Sequence, residues 1–157
     1  MYVDADFASK ATDRRSVSEA LVLVSGCIVA WISRAQKCVT LSTTEAEYVA
    51  MGDGVKEGLF MNDVLKFLVP SARNGKIEVL EDNEGAIALL AENPLSSCSS
   101  KHIDIRHHFL RSLTEDGVLA IRHVSSEKQH ADILTKALPR ELFQSHREFV
   151  LGMASEK

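Results

Sequence analysis

"KIEVLEDNEGAIALLAEN", Lys76 to Asn93, is the stretch whose reading decides the fold. Ile77, Val79 and the following Leu80 read as a strand, and the run from Glu84, apolar at Ile87, Leu89 and Leu90, reads as a helix. The junction between them carries Glu81, Asp82 and Glu84. Strand-to-helix turns that cradle phosphate are Gly-rich and basic, because backbone N–H groups and a lysine must face the anion. This turn is acidic. It suits a cation, or it is an ordinary solvated surface turn, as charge runs commonly are.

Outward from this unit, strands are expected at Tyr2 to Phe7, Ala20 to Val24 and Cys27 to Ser33, the last two linked tightly around Ser25-Gly26. A long helix is expected from about Thr44 to Leu68, opened by Ser42, Thr43 and Thr44, with Glu45 and Glu47 at the positive end of its dipole. After a loop from Pro70 to Gly75 and the quoted unit come a polar loop "NPLSSCSS", a helix from about Ile103 to Glu115, and a strand from Val118 to Val124. A helix from about Gln129 to Leu138 follows, and Pro139 separates it from an amphipathic segment, Glu141 to Val150. Strands in a run, then alternating with helices, predict an α/β domain with a mixed sheet flanked by helices.

Size and composition set the bounds. A chain of 157 residues, 45% of them hydrophobic, is expected to form one domain. Such a domain buries about two-thirds of its extended surface without disulfide or metal staples. The core would span about 2–138, with the C-terminal segment at about 139–151. Cys27, Cys38 and Cys98 are odd in number and form no CxxC pair, which points to a reducing compartment and away from a zinc ribbon. No membrane span or secretory leader is visible. Met1 directly precedes a strand already under way, as in a segment excised from a longer chain. The formal charge of −4 speaks against a generic nucleic-acid binder, although two bound divalent cations would cancel it. Arg14, Arg15, Arg34, Lys37 and the Lys101 to Arg111 stretch could still form a local basic track.

Four acids fall at element ends: Asp4 on the first strand, Glu47 in the first turn of the long helix, Asp82 after the quoted strand, and Asp132 in the helix after the last strand. Helical geometry selects Glu47 over Glu45. At about 100° per residue, Met51, Val55, Leu59 and Leu65 share the buried face. Glu47 lies at its margin and Glu45 points away. A carboxylate placed there is costly unless a cation neutralises it.

This ordered set, Asp, Glu, Asp, Asp, resembles ribonuclease H. The segments "YVDADFA", "DRRSVS", "LSTTEAEYVAM", "EDNEGAIAL", "SKHIDIRHHF" and "QHADILTKAL" resemble the Ty1/copia-type retrotransposon ribonuclease H, the C-terminal domain of the element's Pol polyprotein, over roughly Tyr2 to Leu138. The resemblance implies a five-stranded mixed sheet in order 3-2-1-4-5. It also implies a two-metal endonuclease that cuts RNA in RNA–DNA hybrids, leaving 5′-phosphate and 3′-hydroxyl ends. Asp4 would bridge two Mg²⁺ ions, for which Mn²⁺ can substitute. Asp132 would complete the site for the nucleophilic water, and Glu47 with Asp82 would hold the ion at the leaving group.

Thr43, Thr44 and Asn83 would read 2′-hydroxyls in the minor groove, and Arg14, Arg34 and Lys37 are candidates for phosphate contacts or else ordinary solubilising charges. The partners implied are the hybrid and the reverse transcriptase domain of the same polyprotein, in cytoplasmic virus-like particles and with no membrane. Trp31 is expected to be a core aromatic on an inner strand rather than a stacking surface. Departures from the family pattern are Phe7 for Trp, Glu19 for Gly, Glu84 for Gln and His130 for leucine. His123 or His130 could serve as a proton shuttle.

Other classes fit less well. A silent hybrid-binding or polymerase-packing domain of the same fold is the alternative, and the intact four acids speak against it. "DADFAS" superficially matches the start of haloacid-dehalogenase phosphatases, whose other motifs are missing. Integrases place Glu last rather than second. His102, His107 and His108 lack the soft partners a zinc site wants, so pairing with Asp104 along the helix is the simpler reading.

Overall fold

The structure is a computed structural model that describes residues 1–70, 75–91 and 101–153, and at 91 and 101–107 the backbone alone. The expected loop at Asn93 to Ser100, most of the loop at Pro70 to Gly75 and the Asp104–His107 pairing lie outside the described residues. The elements are β1 (Tyr2–Asp6), β2 (Val17–Val24), β3 (Cys27–Ala35), α1 (Thr43–Leu68), β4 (Ile77–Glu81), α2 (Glu84–Ala91), α3 (Lys101–Glu115), β5 (Leu119–His123) and α4 (Arg140–Val150). They form one five-stranded sheet in the order β3-β2-β1-β4-β5. The first three strands are antiparallel, and β4 runs parallel to both β1 and β5.

Alternation along β1 and β2 sorts their side chains between two faces. Val3, Ala5, Ala20 and Val22 join Tyr48, Met51 and Val55 of α1 in the core. Tyr2, Asp4, Glu19 and Leu21 share the opposite face, because Asp4 pairs with Glu19 and Tyr2 with Leu21 across the ladder. The hairpin between β2 and β3 turns on Ser25 and Gly26, both at positive φ (50° and 80°), as two-residue turns matched to strand twist require. Strand β2 begins at Val17, three residues earlier than expected, because polar Ser18 and Glu19 are buried strand residues rather than loop.

Helix α1 starts with reciprocal capping. Ser42 Oγ accepts from Glu45 N at 3.1 Å, and Glu45 Oε2 accepts from Leu41 N at 2.6 Å. Glu45 is thereby committed to the helix end, while Glu47 is buried. The helix approaches the sheet through Ala46, Ala50, Gly54 and Gly58, one turn apart. A Cβ on Gly54 would lie 3.0 Å from Met1 Cε and 3.1 Å from both Ala20 Cβ and Val3 Cγ2. These small side chains set the distance at which α1, and therefore Glu47, is held.

Two expectations are corrected. Trp31 is 68% exposed. It lies on the edge strand β3, on the face away from α1, where the ladder aligns it with Leu21. The segment after β5 is not an α-helix from Gln129 to Leu138. It forms two short 3-10 turns, Ser126–Lys128 and His130–Leu134. Pro139 disfavours helical geometry at Leu138, and the docking of Gln129 on Val3 O and of His130 on Phe149 holds the segment off a regular helix.

Candidate metal centre

In a sheet ordered 3-2-1-4-5, connections leave β1 and β4 in opposite directions, and a crevice opens beyond their carboxyl ends. Strands β1 and β4 share a single paired position, Tyr2 with Leu80, and Leu80 N donates to Met1 O at 2.8 Å. The next rung of a parallel ladder would run from Asp82 N to Val3 O. Instead the buried Gln129 donates from Nε2 to Val3 O at 2.8 Å. The strands therefore part where Asp4 and Asp82 project.

Asp4, Glu47 and Asp82 meet in this crevice, each offering an oxygen within 4.8 Å of the others. Asp4 and Glu47 are buried and Asp82 is partly exposed. Ser126 Oγ donates to Asp82 Oδ2 at 2.7 Å, tying the 3-10 segment to the end of β4. Asp132 is linked to the cluster through Lys136, whose Nζ lies 2.7 Å from Asp4 Oδ2 and 3.0 Å from Asp132 Oδ1. Burial alone would lower the Lys136 ammonium, but Asp4 and Asp132 together hold its pKa above the usual value.

Burial, reinforced by neighbouring acids, pushes the carboxyls up. Asp4 rises to about 7 despite Lys136, and Glu47 to about 11 with Asp4, Glu81 and Asp82 nearby. Glu81 rises to about 8, opposed by the hydrogen bond its Oε1 accepts from Asn83 N at 3.0 Å. Glu19 rises to about 9 beside Asp4. Among the described residues, Asp4 Oδ1 and Glu47 Oε2 are buried without hydrogen-bond partners. Orphaned, hard oxygen donors converging from separate elements fit a hard divalent cation.

The sequence-selected contact residues fall in two groups. Thr44 and Asn83 flank Gly85, where a Cβ would lie 3.0 Å from Asn83 Oδ1 and 3.1 Å from Thr44 Oγ1. Exposed Thr43 is adjacent at the start of α1. Asn83 Oδ1 also accepts from Ala86 N at 3.0 Å and so opens α2. Arg14, in the β1–β2 connection, and Lys37, after β3, are exposed. Arg34 reaches Asp53 of α1 at 3.5 Å.

His123 is exposed at the end of β5. His130 is built into packing. Its ring stacks on Phe149 at 3.6 Å, meets Tyr2 edge-on at 4.9 Å, and its Nδ1 lies 2.9 Å from His146 Nδ1. Burial pushes His130 down to about 4, and it also lowers His146. Sequence reasoning missed Lys136, whose signal was its place four residues after Asp132. It also passed over Gln129, which carries no local signature.

No family model matches the chain. The chain is 38% identical over 154 residues, 98% of its length, to the retrovirus-related Pol polyprotein from transposon TNT 1-94 of Nicotiana tabacum. It is 36% identical over 144 residues, 92% of its length, to that from transposon RE1 of Arabidopsis thaliana. It spans only 11% and 10% of these relatives' lengths. Among solved structures, it superposes on the N-terminal RNase H domain of rv2228c from Mycobacterium tuberculosis with a TM-score of 0.55 at 14% identity, covering 94% of each chain. For LC11-RNase H1 isolated from compost the TM-score is 0.56 at 15% identity, covering 96% of this chain and 95% of that one. The ribonuclease H order of strands, together with a sequence related to transposon Pol polyproteins over nearly its whole length, fits a Ty1/copia-type retrotransposon ribonuclease H domain.

Proposed function

We propose that the domain is a divalent-cation-dependent endonuclease that hydrolyses the RNA strand of RNA–DNA hybrids during reverse transcription, leaving 5′-phosphate and 3′-hydroxyl ends. The observation that carries this reading is the meeting of Asp4, Glu47 and Asp82 within 4.8 Å at the β1–β4 crevice. Asp132 stands at its margin through the shared Lys136. These four carboxylates would hold two ions, Mg²⁺ or in its place Mn²⁺. When bound, such ions activate a water and stabilise the departing 3′ oxygen.

The chain itself supplies position. Ser126 orients Asp82, Gln129 keeps β1 and β4 apart, and Lys136 fixes Asp132 relative to Asp4. Thr43 and Thr44, at the start of the helix that carries Glu47, and Asn83, next to Asp82, suit a 2′-hydroxyl displayed in a wide minor groove. Arg14 and Lys37 suit phosphates, as does Arg34 if it exchanges Asp53 for the strand. LC11-RNase H1, of the same fold at a TM-score of 0.52, has been crystallised with an RNA/DNA hybrid, which supports the substrate class. The reverse transcriptase domain of the same polyprotein would present the hybrid, in cytoplasmic virus-like particles.

The test is a labelled RNA–DNA hybrid incubated with and without Mg²⁺. Wild-type protein should cut the RNA strand only with the ion. Asp82→Asn and Asp132→Asn should each lower cutting by at least about 10²-fold, the scale on which single electrostatic contributors act, with unchanged circular dichroism. Loss of activity accompanied by unfolding would make these acids structural. Hybrid binding without any cutting would support the silent-domain reading.

A further inference from the structure

Glu19 is fully buried, and among the described residues neither Oε1 nor Oε2 has a hydrogen-bond partner. It sits directly opposite Asp4 across the β1–β2 ladder, so the two side chains leave the sheet on one face as near neighbours. Ser33, opposite it on β3, gives it no hydrogen bond. Lys136, whose charge acts on Glu19, makes its close contacts with Asp4 and Asp132 instead. Asp132 and Asp6 also bear on it electrostatically. A buried carboxylate with two idle oxygens is costly to keep, and a replacement that simply packs would cost less. Asp4 Oδ1, also buried and idle, adds a third unclaimed oxygen at this edge. Such hard donors are satisfied by a divalent cation, and among the described residues no side chain hydrogen-bonds them.

Resting on the metal-dependent reading above, we propose that Glu19 is a further cation-binding carboxylate, supplied by β2 to the Asp4 side of the pocket. Sites that offer more carboxylate oxygens favour ions that shed water readily. Mg²⁺ dehydrates reluctantly and keeps several waters. Glu19 therefore tightens Mn²⁺ more than Mg²⁺.

The experiment is calorimetric titration of the whole domain with Mn²⁺ and separately with Mg²⁺, for wild type, Glu19→Gln, Glu19→Ala and Asp4→Asn. Urea unfolding of each in EDTA runs alongside. Both Glu19 variants should lose about tenfold in Mn²⁺ affinity, about 1.4 kcal/mol, and less for Mg²⁺, while their stability in EDTA is equal to or above wild type. Wild-type Mn²⁺ affinity retained in a folded Glu19 variant, with Asp4→Asn impaired, overturns the role of Glu19 and leaves the proposed function standing. Lower stability in EDTA with unchanged Mn²⁺ binding overturns it in favour of a structural role. Absence of binding to wild type removes the metal-dependent reading itself, and this inference with it.

Discussion

At the scale of single residues, the pocket is defined by how few cations serve its acids. Asp4, Glu19, Glu47 and Glu81 are buried, and Asp4 and Asp132 share one ammonium. Removing that ammonium leaves two carboxylates without their counter-charge. Lys136→Met should therefore destabilise the EDTA-treated protein by about 1–2 kcal/mol, below the figure for a fully buried pair because the lysine side chain is 30% exposed. Urea unfolding checks this, and saturating Mn²⁺ should shrink the difference. Equal stability in EDTA would mean that the ammonium's own desolvation cancels its attraction.

At the scale of elements, the position of Glu47 depends on packing several turns away. Gly54 lets α1 rest against Met1, Val3 and Ala20, with no room for a branched side chain. Gly54→Val should cost about 1–3 kcal/mol by overpacking, after allowing for the fraction regained in helix propensity. Because α1 is one rigid element, the same substitution should also weaken Mn²⁺ binding by shifting Glu47. Chemical denaturation and a Mn²⁺ titration test the two halves separately. A destabilised variant with native affinity would show that the helix N-terminus is positioned independently of Gly54. The 3-10 segment has its own anchor, in which His130 stacks on Phe149 and meets His146, while Gln129 grips β1.

At the scale of the whole molecule, the buried acids link stability to pH. Their values when unfolded, 3.8 for Asp4 and 4.5 for Glu19 and Glu81, rise on folding to about 7, 9 and 8. Between these limits the folded chain holds protons that the unfolded chain has released. Stability from these groups is therefore complete below the unfolded values and lost as pH rises through the folded ones. His130 and His146, lowered by burial, act with the opposite sign, losing stability as pH falls below 6.5. Between about pH 6.5 and 9 the acids dominate. In EDTA the unfolding free energy should fall across that window by several kcal/mol, since each such group contributes about 1.4 kcal/mol per pH unit over which only the folded chain keeps its proton. Mg²⁺ should flatten the decline, since cation and proton compete for the same oxygens and cation binding stabilises the folded state more at higher pH. A flat profile in EDTA would show that the acids are already ionised in the folded protein.

The sequence by itself determined the order of the strands and long helices, the acidic junction after β4, and the burial of Glu47 rather than Glu45. Each rests on local chemistry: alternation, capping residues and helical phase act within a few residues. The strand order of the ribonuclease H fold was legible through the resemblance of ordered motifs. Only the tertiary structure decided what depends on contacts between distant segments. The exposure of Trp31 follows from its place on the face of β3 away from α1, at a sheet edge that the resemblance implies but the alternation within β3 does not announce. The 3-10 path around Asp132 follows from docking against Tyr2, Val3 and Phe149, which overrides the helical pattern of the segment. The pairing that sets Glu19 beside Asp4 joins residues fifteen positions apart in sequence, through a register that strand alternation alone leaves free. Burial, which raises the pKa of Asp4, Glu19, Glu47 and Glu81, is a property of the assembled molecule and of no single stretch of chain.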